Sequence, residues 1–156
     1  MLDDWVKVLS GGIIGSLATM VGAFVIELRR EDVLRAGAAR ALFLELAEDS
    51  EALRKAIELG TYVPLHDSTW RDARLGISGA VSPEDFATIG HAYSKIQAII
   101  KAEEITAGSR PNAILRAAPE ALPIVTAAGI LLLRRGWPKA SDRERLGARL
   151  EAITRD

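Results

Sequence analysis

The chain begins with an uncharged run of nineteen residues, 8–26, whose sequence is VLSGGIIGSLATMVGAFVI. At a rise of about 1.5 Å per residue, a helix of this length nearly matches the roughly 30 Å hydrocarbon thickness of a bilayer. The run therefore predicts a transmembrane anchor over residues 1–26 and a single domain over 27–156. A cleaved signal peptide is less favoured, because the run exceeds the usual apolar core of about 7 to 15 residues and no small-residue cleavage site follows it.

Beyond this run, apolar residues recur at the three- to four-residue spacing of amphipathic helices, and no stretch alternates as a strand would. No proline occurs between Leu28 and Leu59, so the membrane helix is expected to continue as one rod until Gly60 and Pro64 end it. The pattern predicts further helices over about 68–75, 83–106, 112–118, 121–133 and 141–153. The expected fold is all-α: one N-terminal transmembrane helix that continues into a cytoplasmic bundle of about four to five helices.

Local signals mark several helix ends. Ser82 precedes Pro83 and two acidic residues, which is the clearest helix start in the chain. Ser141, with Glu144 three residues later, predicts a capping box for the last helix. Pro119 is expected to separate a short helical turn from the uncharged segment 121–133, which is too short to span a bilayer and is predicted to be the most buried helix of the domain.

Charge predicts the orientation and excludes several functions. Arg29, Arg30 and Arg35 follow the apolar run, whereas residues 1–7 hold one lysine and two aspartates, so the domain is expected in the cytoplasm with the N-terminus outside. The net charge of −1 lacks the basic excess of nucleic-acid-binding proteins. With no cysteine, the chain has no disulfide, thiolate nucleophile or Cys-ligated metal. Neither a cofactor nor a small-molecule substrate is indicated.

The apolar run contains a ridge of small residues that begins with a GxxxG motif. Such ridges let transmembrane helices approach closely enough for their backbones to pack. We therefore expect a homo-oligomer or packing against a partner helix. The ridge comprises Gly11, Gly15, Ser16, Thr19, Gly22 and Ala23.

Asp49 lies within the apolar stripe of the first cytoplasmic helix, between Leu46 and Leu53, where an unpaired charge would be costly. We expect a buried polar tie between helices rather than catalysis, with Glu45 facing solvent. The expected members of the tie are Asp49, Trp70, Arg74 and Tyr93. His66 and His91 have no recognisable ligand spacing, so no metal site is predicted.

A second group follows the apolar segment 121–133 and comprises Arg134, Arg135, Trp137 and Lys139. Its basic residues and interfacial aromatic predict contact with the anionic surface of the inner leaflet. The alternative, which the same residues favour more, is a helix C-terminus whose arginines match the dipole and whose tryptophan packs back on the core.

The segments ARALFLELAEDSEALRKAI, STWRDAR and HAYSKIQ, between Ala38 and Gln97, resemble a loose class of small bacterial inner-membrane proteins with one N-terminal span and a helical cytoplasmic domain. This resemblance implies a bacterial inner membrane and carries no catalytic residues. Asp49 stands where asparagine is expected in that class.

Together these patterns predict a membrane-anchored, non-catalytic interaction or scaffold protein, with membrane lipid and a second membrane-embedded chain as partners. The alternative function is a holin-like or toxin-like effector that permeabilises the membrane through its glycine-rich span. An enzyme that uses Asp49 with Glu45 or His66 is the least favoured hypothesis.

Overall fold

The computed structural model describes residues 2–61, 63–105 and 113–155, with side chains from residue 19 to residue 154 within those ranges. All the regular structure in these ranges is helical, which confirms the predicted all-α class. The five helices are α1 (Leu2–Leu59), α2 (Ser68–Ser78), α3 (Pro83–Ile105), α4 (Ala113–Gly136) and α5 (Ala140–Arg155).

The chain divides into two compact units, Met1–Leu34 and Arg35–Asp156, and α1 contributes residues to both. In the first unit, every side chain described, from Thr19 to Leu34, is exposed to solvent. The second unit contains the hydrophobic core, to which all five helices contribute residues.

Helix α1 enters the core through Leu42, Leu46 and Leu53, which are fully buried as the helical periodicity predicts. The same periodicity predicts that Leu28 and Ile57 share this apolar face, but these two residues are 47% and 44% exposed, so the buried stripe is shorter than predicted at both ends. Leu28 belongs to the first unit, and Ile57 lies in the last turn before the chain leaves the helix. Gly60 ends α1 at a φ of +61°, a backbone conformation that favours glycine.

Of two helix starts predicted from capping residues, the structure confirms one and contradicts the other. Ser82 caps α3, because its Oγ accepts the Asp85 N–H at 3.1 Å. Helix α5, however, begins at Ala140, and Ser141 lies inside it rather than ahead of it. The predicted capping box at Ser141 was therefore wrong.

Helix α4 runs without a break through Pro119 and Pro123, so the predicted separation at Pro119 was also wrong. A proline inside a helix leaves the carbonyl four residues earlier without its N–H partner. Both prolines are exposed and lie one turn apart, so they share the solvent face of the helix. Water can satisfy the carbonyls on that face, and the opposite face stays packed.

Among the described residues, one helix, α4, is long and apolar enough to cross a membrane. It packs against α3 and α5 and has eleven buried residues, which agrees with its prediction as a core helix. The predicted span over 8–26 receives no independent support from the structure, because most of it precedes residue 19, where the described side chains begin.

Candidate functional site

Two acidic side chains of α1, Glu45 and Asp49, are buried in the second unit. Glu45 is 6% exposed and Asp49 is fully buried. They are four residues apart and therefore lie on the same face of the helix. The prediction that Glu45 faces solvent was wrong, because the chain that follows α1 folds back over this face.

Both carboxylates bind the segment that leads into α2. Glu45 Oε2 accepts the backbone N–H of Thr69 at 2.9 Å and the hydroxyl of Ser68 at 3.3 Å. Asp49 Oδ1 accepts the backbone N–H of His66 at 2.9 Å, and the His66 Nδ1 lies 3.5 Å away. Glu45 thus satisfies an N-terminal N–H of α2, which has no cap from the side chain of Asp67.

The second oxygen of each carboxylate, Glu45 Oε1 and Asp49 Oδ2, is buried without a hydrogen-bond partner in the described part of the chain. Burial raises the pKa of Asp49 from 3.8 to about 7. The His66 backbone N–H opposes this shift most strongly, and the nearby charge of Glu45 adds to it. Asp49 is therefore a buried acid that holds its proton up to neutral pH.

Aromatic rings of α2 and α3 pack together in the same core. Trp70 stacks on Tyr93 with the ring centroids 4.8 Å apart and the planes 11° apart. The Tyr93 hydroxyl donates to the carbonyl of Leu42 at 3.4 Å. Burial, followed by the charge of Glu45, raises the pKa of the Tyr93 phenol. The Tyr93 ring of the stacked pair therefore lies near Glu45 in the same buried region.

The structure differs from the predicted polar tie in its contacts. Asp49 is buried as expected, but the hydrogen bond described for it comes from the loop residue His66 rather than from Trp70 or Tyr93. Arg74 is exposed and makes no contact with Asp49 among the described residues. The end of α1 at Gly60 and Pro64 was predicted, but no local pattern showed that the chain then returns along α1 and brings His66, seventeen residues later, to Asp49.

His66 also lines an open cavity of about 820 Å³ between α1, residues 63–66 and α5. Its floor is apolar, with Phe43, Leu146 and Leu150 among its residues. Its rim carries both signs of charge: Glu51 pairs with Arg54 and Lys55, while Glu48 and Arg149 have no ion pair in the part of the structure described. The lining holds two acidic and three basic side chains, and because both signs are present, the charge of the rim selects no class of ligand.

The predicted membrane-surface group is at the turn between α4 and α5. The indole of Trp137 is half-buried and packs edge-on against Phe43 with the ring centroids 5.0 Å apart, so it belongs to the core rather than to an interface. Arg134 and Lys139 are exposed, and Arg135 is partly exposed. The alternative prediction, in which the tryptophan packs back on the domain, describes Trp137 correctly.

Two arginines that the sequence did not single out bind backbone carbonyls at the end of α4 and in the turn that follows it. Arg40 of α1 donates from Nε to the carbonyl of Gly136 at 2.6 Å, and its guanidinium lies 5.9 Å from the centroid of the Trp137 ring. Arg143 of α5 donates to the carbonyls of Trp137 and Pro138 at 3.1 and 2.9 Å. Gly136 permits this close approach, since a Cβ there would lie 3.1 Å from Arg40 Cγ.

Of the predicted transmembrane ridge, Gly11, Gly15 and Ser16 lie outside the residues whose side chains are described. Thr19, Gly22 and Ala23 are exposed. A Cβ at Gly22 would meet nothing within 4 Å, so no contact with the described residues requires a glycine at that position.

Among the described residues, no group of three or more His, Cys, Asp or Glu side chains is arranged to hold a metal ion. No family model, no curated protein and no solved structure matches this chain.

Proposed function

We propose that the protein is a membrane-anchored, non-catalytic interaction protein of the bacterial inner membrane, with its N-terminus outside and its helical domain in the cytoplasm. The first unit anchors the chain and associates with a second copy or with another membrane protein. The second unit presents a docking surface, of which the open cavity between α1 and α5 is one concave part.

The observation that carries this proposal is the exposure of the first unit. Eight large apolar side chains of this unit are exposed, with exposed fractions between 43% and 71%. Transfer of one such side chain from water to apolar surroundings is favourable by roughly 1.5–3 kcal/mol. A helix with this surface, continuous with an uncharged run that matches the thickness of a bilayer, is best accommodated by lipid. The eight are Met20, Val21, Phe24, Val25, Ile26, Leu28, Val33 and Leu34.

Alkaline carbonate extraction of membranes from cells that express the full chain tests the anchor. We expect the chain to stay in the membrane pellet and the double variant Leu17→Arg, Met20→Arg to move to the supernatant, because each arginine costs about 2.5–3.5 kcal/mol near the centre of a bilayer. The matched control, Leu59→Arg with Leu75→Arg, charges two residues that are 69% and 80% exposed outside the run and should stay in the pellet. Wild-type chain in the supernatant would refute the anchor.

Self-association is tested by the mass of the complex extracted in a mild nonionic detergent. We expect Gly22→Leu to reduce the mass to that of a smaller assembly, because a bulky residue on the small-residue ridge separates the helices. Gly37→Leu is the matched control, since a Cβ at Gly37 also meets nothing within 4 Å and Gly37 lies on the same helix outside the ridge. A wild-type mass equal to one chain, with no companion protein, contradicts the scaffold role.

The buried acidic pair supports a non-catalytic role, because its hydrogen-bonded oxygens hold backbone donors in place. Induced expression separates this proposal from a membrane-permeabilising effector. A scaffold leaves growth and membrane potential unchanged, whereas rapid loss of membrane potential on induction would indicate the effector.

A further inference from the structure

The α4–α5 turn concentrates positive charge in an otherwise acidic chain. Residues 134–145 contain five basic and two acidic side chains, a net charge of +3. Arg40, which packs against this turn from α1, raises the charge to +4. The whole chain carries −1, so its remainder carries −5. We call the group Arg40, Arg134, Lys139 and Arg143 the basic corner.

The charges of the basic corner are not neutralised by acids in the described structure. Arg40 donates to the last carbonyl of α4 and Arg143 donates to carbonyls of the turn that follows. These carbonyls carry no full charge, and each guanidinium has five donors in all. Arg134 and Lys139 are exposed and form no ion pair among the described residues. The nearby Asp142 is 3.9 Å from Arg145.

Stabilisation of the helix end does not require this many cations. One or two basic side chains suffice to compensate the dipole and bind the last carbonyls of a helix. Arg40 already binds the carbonyl of Gly136, the last residue of α4, and Arg143 binds the two carbonyls that follow it. Arg134 and Lys139 are exposed and make no such contact among the described residues. A surface of this kind binds anions.

The residues around the basic corner indicate which class of anion it binds. Binding of single-stranded nucleic acid relies on exposed aromatic rings as stacking platforms, but Trp137 is packed on Phe43 and adjoined by the Arg40 guanidinium. The rest of the chain carries a net charge of −5, which also disfavours the binding of an extended polyanion. An array of lipid phosphates needs only a local basic surface, and each Lys or Arg near such an array contributes about fivefold in affinity. We propose that the basic corner binds the headgroups of anionic phospholipids.

This inference depends on the proposed function only in choosing lipid as the source of the anion. Its test uses the full chain in a nonionic detergent, with thermal unfolding followed by tryptophan fluorescence. Dioctanoyl phosphatidylglycerol at about ten times its Kd should raise Tm by about 4 °C, and 0.5 M salt should abolish the shift. Dioctanoyl phosphatidylcholine should produce no shift.

The double variant Arg134→Gln, Lys139→Gln should lose most of the shift, because it removes two exposed charges and keeps Arg40 and Arg143, which bind backbone carbonyls. The matched control is Lys101→Gln with Arg149→Gln, which removes two exposed cations elsewhere and should keep the full shift. Equal shifts with phosphatidylcholine, an equal loss in the control, or a larger shift with a ten-nucleotide single-stranded DNA would overturn the proposal.

Inorganic phosphate distinguishes the two sources of the anion, since a shift equal to that of phosphatidylglycerol would identify a site for free phosphate and refute lipid. The assay does not depend on insertion of residues 8–26. If carbonate extracts the chain from membranes while phosphatidylglycerol still raises its Tm, the anchor alone is refuted. If the chain stays in the membrane pellet but shows no lipid-specific rise in Tm, the lipid-binding role of the basic corner alone is refuted.

Discussion

The substitution Asp49→Asn replaces an ionisable side chain at a fully buried position with a neutral one and keeps the oxygen that accepts the His66 N–H. Burial raises the pKa of Asp49 from 3.8 to about 7. Below about pH 4 the carboxyl is protonated in both the folded and the unfolded chain. Between about pH 4 and pH 7 the unfolded chain loses this proton while the folded chain keeps it, so the free energy of unfolding falls as pH rises through that window.

The size of the effect follows from the shift. At 1.36 kcal/mol per pKa unit, a rise from 3.8 to about 7 lowers the free energy of unfolding by roughly 4 kcal/mol above pH 7. Asparagine does not ionise, so its contribution to stability does not change with pH. Its NH₂ group replaces the Asp49 oxygen that has no hydrogen-bond partner, and this buried, unpartnered NH₂ lowers the free energy of unfolding by about 1–3 kcal/mol at every pH. The stability of the variant relative to wild type should therefore rise by roughly 4 kcal/mol between pH 4 and pH 8.

Thermal unfolding of the full chain in nonionic detergent, followed by circular dichroism at several pH values, measures this difference. For a chain of this length, it corresponds to a relative change in Tm of roughly 10 °C. Glu48→Gln is the matched control, because Glu48 is exposed on the same helix and its loss should leave the difference from wild type nearly independent of pH. A difference between Asp49→Asn and wild type that stays constant from pH 4 to pH 8 would refute the reasoning.

Four further single substitutions, and one compensating second substitution, test the packing through thermal or denaturant unfolding of the full chain. Gly60→Ala should destabilise the fold by about 1–2 kcal/mol, because Gly60 has a left-handed backbone conformation. Gly37 lies in open space inside α1, so Gly37→Ala should stabilise the fold by roughly 0.5–1 kcal/mol. The opposite order of stabilities would contradict the assigned end of α1. Gly129→Ala places a Cβ 2.7 Å from Leu150 Cδ2 and should cost about 1–3 kcal/mol, partly recovered by Leu150→Val; no recovery would argue against that contact. Tyr93→Phe removes the hydrogen bond to Leu42 and should cost about 1 kcal/mol, so an unchanged Tm would show that the bond contributes nothing.

Local rules predicted much of the helical architecture. The start of α3 at Ser82 and Pro83 depends on contacts within one turn, and the sequence contains all of them. The burial of Ile89, Tyr93 and Ile96 likewise follows from their spacing along one helix. The same local reasoning failed at Pro119, because a proline is tolerated where its face of the helix meets solvent, and the packing of α4 against its neighbours decides which face that is.

The candidate sites were only partly predictable. Periodicity placed Asp49 on the buried stripe, but the donor that it binds belongs to a loop whose path no local pattern specifies. Glu45 lies at the edge of the stripe, and only the return of the chain over that edge buries it. The basic residues after α4 were visible in the sequence, whereas the addition of Arg40 required the contact between α1 and the end of α4.

The sequence by itself determined the all-α class, the positions of most helix ends and the uncharged run at the N-terminus, because propensity, capping and hydrophobic spacing act over a few residues. Only the tertiary structure decided which acids are buried, which donors they meet and which cations gather at one corner. These depend on how distant segments pack, and the free energy of a buried charge is determined by neighbours far away in the chain.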